Sequence, residues 1–223
     1  MRYKTCVSIA EETPKQVSQT LQIALKKADY AEIRFDYLKK EDIPQVLEIV
    51  KKKLINVVCT LRPKSEGGKF TGDEKERIAI LKLIAEYNPF LLDVEFNTIK
   101  KNKDLVKYLK KAKTNLLISY HDFKKTPSIS QLQEKLDQMK KFASNVKIVT
   151  TANSANDSSR VLQLYNKKGR INLISFTMGD LGRTSRILGL FLGSPFIYVS
   201  LGKPVAPGQF SADEIKRIIK LKK

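Results

Sequence analysis

Short apolar runs separated by longer amphipathic segments organise this chain of 223 residues. Within the longer segments, apolar residues recur at helical spacing, as in 73–87, where Ile78, Leu81 and Ile84 fall on one helix face. The short runs are typical of β-strands. They number eight and recur at roughly even intervals, at 3–10, 30–36, 55–62, 90–96, 115–121, 146–151, 171–177 and 196–201.

The alternation of strand and helix predicts parallel strands joined by right-handed crossovers. Eight repeats favour a closed (β/α)8 TIM barrel, as a single domain over residues 1–223, and this length suits one large core. An open doubly wound sheet is the alternative. It loses its main support because no glycine-rich dinucleotide fingerprint follows the first strand, where 8–12 is Ser-Ile-Ala-Glu-Glu.

Capping signals mark where several helices begin. Thr13 is a predicted N-cap before Pro14, and segment 128–143 has the helical pattern. Ser211 with Glu214 forms the pattern of a capping box for the last helix.

The second strand places polar residues on the face where a barrel interior normally carries Val, Ile and Leu. Its apolar residues suit the helix layer, so Glu32, Arg34 and Asp36 are predicted to point inward. The same alternation predicts further inward polar residues, namely Ser8, Thr60, Arg62, Asp93, Glu95, Ser119 and His121. Buried charges are costly unless they pair with one another or with a ligand. Because they crowd toward the carboxyl ends of the strands, they predict a catalytic centre there.

Lys147 lies inside an apolar run, 146–151, that predicts a buried strand. Desolvation lowers the pKa of a lysine and leaves the free amine that imine chemistry needs, so Lys147 is a candidate nucleophile. The alternative is that its side chain extends out to solvent. His121 is the only histidine, at the end of the preceding strand, and imidazole is suited to proton transfer near neutrality.

Two loops extend this candidate site. Segment 178–186 leads into a helix whose N-terminal amides would favour an anion, and segment 203–209 could bring Gln209 over the barrel mouth. Ordinary loop chemistry remains the alternative for both.

The composition is strongly basic, with 42 Lys+Arg against 23 Asp+Glu and a formal net charge of +19. Such a charge would suit a polyanion-binding protein. The lysines, however, are spread in short runs over nearly every helical segment, and no basic stripe with interleaved aromatic residues is present. We therefore expect no nucleic-acid partner, although a nucleic-acid-binding module remains the alternative from a different class.

The numbers and positions of cysteine and histidine indicate which cellular compartment and which metal sites to expect. Cys6 and Cys59 stand in apolar company and are predicted to be reduced core residues. The sequence offers no zinc-ligand spacing, so we expect no metal. The chain enters a strand almost at once and has no apolar run near the ~18 residues of a spanning helix, so we expect a cytoplasmic protein with no membrane partner.

Taken together, these residues resemble the type I 3-dehydroquinate dehydratases, Schiff-base enzymes of the shikimate pathway. The similarity runs nearly end to end. Its specific pieces are Glu32-Ile33-Arg34 with Asp36, Arg62 with Glu66-Gly67-Gly68, the run Ser-Tyr-His-Asp-Phe at 119–123, Val146-Lys147-Ile148, Ser-Arg-Ile-Leu-Gly at 185–189, and Ala-Pro-Gly-Gln at 206–209.

The resemblance implies a barrel, commonly a homodimer, that dehydrates 3-dehydroquinate to 3-dehydroshikimate without a cofactor. It implies that Lys147 forms the imine, that His121 transfers protons and that Glu66 lies near the histidine. Residues implied to hold the substrate are Ser8, Glu32, Arg34, Arg62, Arg186 and Gln209. Several relatives carry a serine where this chain has Val205. The nearest rival function is another lysine-imine barrel enzyme, such as a class I aldolase.

Overall fold

The computed structural model describes residues 3–221 and has the alternating order of a parallel barrel. The strands are β1 Thr5–Ile9, β2 Tyr30–Arg34, β3 Val57–Thr60, β4 Leu91–Glu95, β5 Leu116–Asp122, β6 Asn145–Thr151, β7 Asn172–Met178, β8 Ile197–Ser200 and β9 Phe210–Ser211. The helices are α1 Pro14–Lys27, α2 Ile43–Val50, α3 Glu74–Glu86, α4 Phe96–Lys101, α5 Lys103–Lys111, α6 Ile129–Met139, α7 Ala155–Leu162, α8 Arg183–Phe191 and α9 Ala212–Leu221.

All the strand pairs are parallel, and the first eight strands neighbour one another in chain order. β8 pairs with β1, as barrel formation requires. The two-residue β9 pairs with the opposite edge of β8. The sheet order therefore runs from β7 to β9, and within residues 3–221 no ladder joins β7 to β8. The predicted (β/α)8 class is confirmed, and the ninth strand was not predicted.

Two apolar clusters flank the strands, one outside the barrel and one inside it. The outer cluster packs strand residues such as Ile33, Val94 and Ile148 against the helices. The inner cluster fills the lower barrel with residues that include Cys6, Val58 and Tyr198. Both thiols, Cys6 and Cys59, are buried and free, as predicted. The strands thus expose neither face to water, as parallel sheets require.

The predicted helix starts are confirmed in detail. The side chain of Thr13 accepts a hydrogen bond from the Gln16 backbone N–H, and Pro14 opens α1. The backbone N–H of Ser211 donates to the Glu214 carboxylate at 2.7 Å, while the Glu214 N–H donates to Ser211 Oγ at 3.2 Å. These reciprocal bonds satisfy donors that a helix start leaves unpaired.

The observed boundaries differ from the predicted ones by up to four residues, and two of these differences are the most informative. The second strand ends at Arg34, and Asp36 lies in a following 3-10 turn. Asp36 is buried, but it faces Arg34 and the backbone N–H of Lys69 rather than the barrel pocket. The helix predicted over 128–143 ends at Met139.

Candidate active site

A pocket of about 730 Å³, its open mouth included, lies at the carboxyl ends of the strands. Each residue that the resemblance assigned to catalysis, to substrate binding or to a place beside the histidine contributes to its lining. These residues are Ser8, Glu32, Arg34, Arg62, Glu66, His121, Lys147, Arg186 and Gln209. Because they come from strands and loops throughout the chain, the fold alone brings them together.

Lys147 is a deeply buried cation of the pocket, with only 6% of its surface exposed. Its neighbour Ile148 packs toward the helices, so the alternation of β6 sends the lysine inward rather than to solvent. Its Nζ lies 3.6 Å from Asp93 and 3.9 Å from Glu32. Burial lowers the pKa of Lys147 against the opposing effect of these carboxylates, and the charges of Arg62 and Arg34 lower it further. At a given pH, a larger fraction of Lys147 is therefore in the neutral amine form than for an exposed lysine.

Arg62 is the centre of a buried ion-pair network beside Lys147. One terminal nitrogen donates to Glu95 at 2.7 Å and to Ser119 Oγ at 2.6 Å, and the other donates to Asp93 at 2.5 Å. Burial alone would lower the pKa of Arg62, but Asp93 and Glu95 raise it overall. The guanidinium is thus a fixed positive charge, held in place by partners on two neighbouring strands, β4 and β5.

Arg77 of α3 extends this network from outside the barrel. It is 1% exposed, donates to Glu95 at 2.5 Å, and pairs with Glu74 at 2.9 Å. Glu95 therefore lies between two arginines, which compensates for the burial of its charge. Sequence reasoning missed Arg77. The available signal was its position on the apolar stripe of α3, four residues before Leu81.

His121 and Glu66 form a close pair on the same side of the pocket. The imidazole Nδ1 lies 3.1 Å from a Glu66 carboxyl oxygen, which also accepts the His121 backbone N–H at 3.1 Å. Burial lowers the pKa of His121 well below its usual range, helped by Arg62 and Lys147. Burial also raises the pKa of Glu66 to about 8. Although the distance would suit an ion pair, we conclude that near neutrality the acid holds the proton and the imidazole is neutral.

Arg186, in the first turns of α8, has a different environment from Arg62. It is 3% exposed, and within residues 3–221 no carboxylate lies within ion-pair distance of it. Its guanidinium stacks on Phe176 at 4.1 Å and donates once, to the Pro207 carbonyl at 2.8 Å, while its Nε has no protein partner. Burial lowers the pKa of Arg186 to about 10. A buried cation with unused donors is suited to an anionic ligand.

Gln209 closes the loop that follows β8. Its carbonyl oxygen accepts the Val205 backbone N–H at 2.8 Å, and its amide donates to Ser8 Oγ at 3.2 Å. The left-handed backbone at Gly208, with φ of 70°, makes the turn that directs Gln209 back to the pocket. Val205, Ala206 and Pro207 line the pocket mouth here.

Glu32 and Arg34 complete the wall between β1 and β3. Glu32 accepts a hydrogen bond from Thr60 at 2.9 Å. Arg34 donates two bonds to Asp36, at 2.7 and 2.8 Å, and lies over the ring of Tyr37. Asp36 thus orients Arg34 toward the pocket from behind.

Sequence reasoning also missed the apolar part of the pocket. These lining residues are Phe123, Val149, Phe176, Met178 and Tyr198. On β7 the same alternation that identified inward polar residues on the other strands would have predicted that Phe176 and Met178 point into the pocket. Phe123 packs over Gly67, where an added Cβ would lie 2.1 Å from its ring. A side chain at position 67 would therefore displace this ring, and the left-handed backbone there, with φ of 76°, also favours glycine.

Within residues 3–221 no group of three or more His, Cys, Asp or Glu residues is arranged to hold a metal ion. None of the helices over the same residues is long and apolar enough to cross a membrane.

The fold and the pocket define a (β/α)8-barrel enzyme with its active site at the carboxyl ends of the strands. The family model described as Type I 3-dehydroquinase matches residues 5–223. The chain belongs to this family and is thus a hydro-lyase of the 3-dehydroquinate dehydratase type.

Curated relatives agree over almost the full length of both chains. The 3-dehydroquinate dehydratase of Methanococcus maripaludis is 36% identical over 220 residues, covering 97% of this chain and 98% of its own. That of Methanocaldococcus jannaschii is also 36% identical over 220 residues, with 97% of each chain covered.

Solved structures show the same fold. The 3-dehydroquinate dehydratase of Geobacillus kaustophilus superposes with a TM-score of 0.89 at 23% identity, covering 99% of this chain and 91% of its own. The enzyme of Aquifex aeolicus gives a TM-score of 0.80 at 29% identity, with 98% of each chain covered.

Proposed function

We propose that this chain dehydrates 3-dehydroquinate through an imine on Lys147, with His121 as general acid and base. The observation that carries the proposal is the amine of Lys147, buried in a pocket that also holds the only histidine of the chain. Membership of the dehydratase family supplies the substrate.

The first step uses the free amine. Neutral Lys147 attacks the ketone carbon of the substrate. The carbinolamine takes up one proton from solvent through His121 and loses its hydroxyl as water, which leaves a protonated imine. Arg62 and Arg34 favour the neutral amine beforehand because their charges lower the pKa of Lys147, after burial itself. Asp93 and Glu32, each within 4 Å of the nitrogen, then stabilise the cationic imine.

The second step moves a proton through His121. The protonated imine draws electrons from the adjacent carbon, so the neutral imidazole can remove a proton from that carbon and form an enamine. The protonated imidazole then donates to the departing hydroxyl, which leaves as water. Hydrolysis of the imine consumes one water and releases 3-dehydroshikimate and free Lys147.

Substrate orientation falls to the groups around the mouth. Arg186 has unused N–H donors and no carboxylate partner within residues 3–221, so we assign it the substrate carboxylate. Ser8, Glu32, Arg34 and Gln209 surround the ring hydroxyls in this proposal. Arg62 contributes chiefly charge, since Asp93, Glu95 and Ser119 occupy both terminal nitrogens.

Borohydride trapping tests the proposal directly. Reduction in the presence of 3-dehydroquinate should add one substrate-derived mass to the protein, and peptide mapping should place it on Lys147. The control is Lys147→Met, which should show neither adduct nor turnover. An active wild-type enzyme without an adduct would refute the imine.

His121→Ala separates the two proposed steps. The variant should still form the imine, while its turnover falls by roughly 10²- to 10⁴-fold because proton transfer is lost. Near-normal turnover would remove His121 from the mechanism.

A class I aldolase would share the imine but break a carbon–carbon bond. The appearance of a conjugated enone in the ultraviolet from 3-dehydroquinate separates the two reactions. A nucleic-acid-binding module would instead bind random duplex DNA with a steep salt dependence and show no dehydratase activity. We further propose that the enzyme acts in the cytoplasm and that it forms a homodimer. Gel filtration with light scattering measures the molar mass in solution and so tests the homodimer.

A further inference from the structure

Four aromatic rings form a continuous column inside the lower barrel, and we call Phe90, Tyr30, Phe196 and Tyr198 the aromatic column. Phe90 and Tyr30 stack with centroids 4.3 Å apart, and Tyr30 meets Phe196 at 5.5 Å. Phe196 contacts Tyr198 edge to face at 5.3 Å and 79°. Each contact has a spacing at which aromatic pairs attract, so the orientation of the last ring is fixed by those below it.

Lys147 lies on the top ring of this column. Its Nζ is 4.2 Å from the centroid of Tyr198, well inside the distance for a cation–π contact. Both residues are buried, with 6% of Lys147 and 4% of Tyr198 exposed, so water screens the contact weakly.

The hydroxyl of Tyr198 takes no part in this contact. It is buried and has no hydrogen-bond partner within the described part of the chain. Burial raises the pKa of Tyr198 well above its usual range, with Glu32 adding to the effect, so the hydroxyl stays neutral. The ring face is therefore the part of Tyr198 that Lys147 meets.

We propose that Tyr198 is a positioning residue whose ring face holds the Lys147 nitrogen in the pocket, as the ammonium in the free enzyme and as the protonated imine during turnover. The second half of this inference rests on the proposed imine, whereas the first half does not. No bond is made or broken by Tyr198.

The physical basis is a selective attraction. The ring quadrupole attracts a cationic nitrogen and has little attraction for the neutral amine, so it favours the charged form. The other charged or titratable groups around Lys147 are Glu32, Asp93, Arg62, Arg34, His121 and Cys6. All of them remain when Tyr198 alone is changed, so a change in the pKa of Lys147 reports on the ring.

The test compares Tyr198→Leu with Tyr198→Phe. Reactivity of Lys147 toward trace acetic anhydride, followed by mass spectrometry of its peptide as a function of pH, reports the pKa of the free amine without substrate. Loss of the ring should move the midpoint about half a pH unit to lower pH, because the ammonium loses its aromatic face. Tyr198→Phe keeps the ring and should retain the wild-type midpoint.

Turnover provides the second readout. Tyr198→Leu should lower kcat roughly ten-fold or more, with a smaller change in KM, because the cationic imine loses its support. Tyr198→Phe should recover most of that loss. Tyr198→Met replaces the leucine variant if the latter fails to refold, as judged by circular dichroism.

The outcomes separate this inference from the proposed function. An unchanged midpoint in Tyr198→Leu, or a phenylalanine variant that shifts like leucine, overturns the role of the ring. If borohydride labels no lysine in the wild type but the acetylation midpoint still shifts, the imine fails while the cation–π contact stands.

Discussion

The two walls of the pocket treat buried charge in opposite ways. On the network wall, Arg62 lines the pocket and Asp93, Glu95 and Ser119 lie behind it, where they give its terminal nitrogens three protein acceptors. The opposite wall, formed by Phe176, Arg186, Tyr198 and Val205, gives its arginine one carbonyl acceptor and an aromatic face. We call this second wall the binding wall.

The difference indicates a division of labour. Groups of the network wall are already satisfied, so they set the electrostatic potential at Lys147 and hold the fold. The binding wall leaves donors unused, at a cost in folding free energy that a ligand can offset. Two arginines with nearly equal burial thus have different tasks, and the tasks follow from their partners.

Separate replacement of Arg62 and Arg186 tests this division between the two walls most directly. Arg62→Met leaves Asp93 and Glu95 buried without their shared cation and should lower the free energy of unfolding by about 3–5 kcal/mol. Arg186→Met should change it by less than about 1 kcal/mol, since no buried carboxylate loses a partner. Urea unfolding at fixed pH measures both, and equal losses would contradict the division between the walls.

The pH dependence of the free energy of unfolding tests the protonation state of Glu66, which lies near the network wall. Its pKa is about 8 in the folded protein and 4.5 in the reference state, so folding favours the protonated acid. The resulting stability is fully present below pH 4.5 and is lost as the pH rises toward 8. The wild type should lose roughly 3 kcal/mol relative to Glu66→Gln between pH 5 and pH 8.5. A pH-independent difference in urea unfolding would show that Glu66 is ionised throughout.

Substrate binding should depend on the binding wall. Arg186→Met removes the hydrogen bonds to the substrate carboxylate, and one charge-assisted hydrogen bond contributes about 1.5–3 kcal/mol. The loss of even one such bond should lower kcat/KM roughly 10- to 150-fold, mainly through KM. Arg186→Lys keeps the charge without the planar fork and should recover only part of the loss. A pure kcat effect in steady-state kinetics would move Arg186 out of the carboxylate site.

The smallest expected effect comes from Val205, at the mouth of the binding wall. Val205→Ser would add a hydroxyl to the segment that Gln209 holds, and one neutral hydrogen bond contributes about 0.5–1.5 kcal/mol. We expect KM to fall by a factor of roughly 2 to 10, with the control Val205→Ala showing no such gain. An unchanged KM for the serine variant would mean that the segment holds position 205 away from the substrate.

The sequence predicts the barrel and its polar pocket because both depend on alternation along single strands. Once Ile33 and Ile148 face the helices, Glu32 and Lys147 must face inward. Strand order follows in the same way from the chain order of parallel crossovers.

Pairing between elements could not be predicted in this way. Arg77 reaches Glu95 from a helix, and Arg62 selects among several carboxylates only after the strand register is set. Asp36 turned away because the strand ended two residues early, which no local pattern marked. The aromatic column likewise depends on contacts between three different strands or their flanking residues.

The end of the strand order also has a mechanical consequence. β7 and β8 both contribute to the binding wall, and within residues 3–221 no ladder connects them. A small separation of β7 from β8 therefore breaks no backbone hydrogen bond of a ladder. A similar separation of β3 from β4 would break the hydrogen bonds of their parallel ladder. We therefore expect the joint between β7 and β8, beside the binding wall, to yield more easily than the joints that a ladder closes.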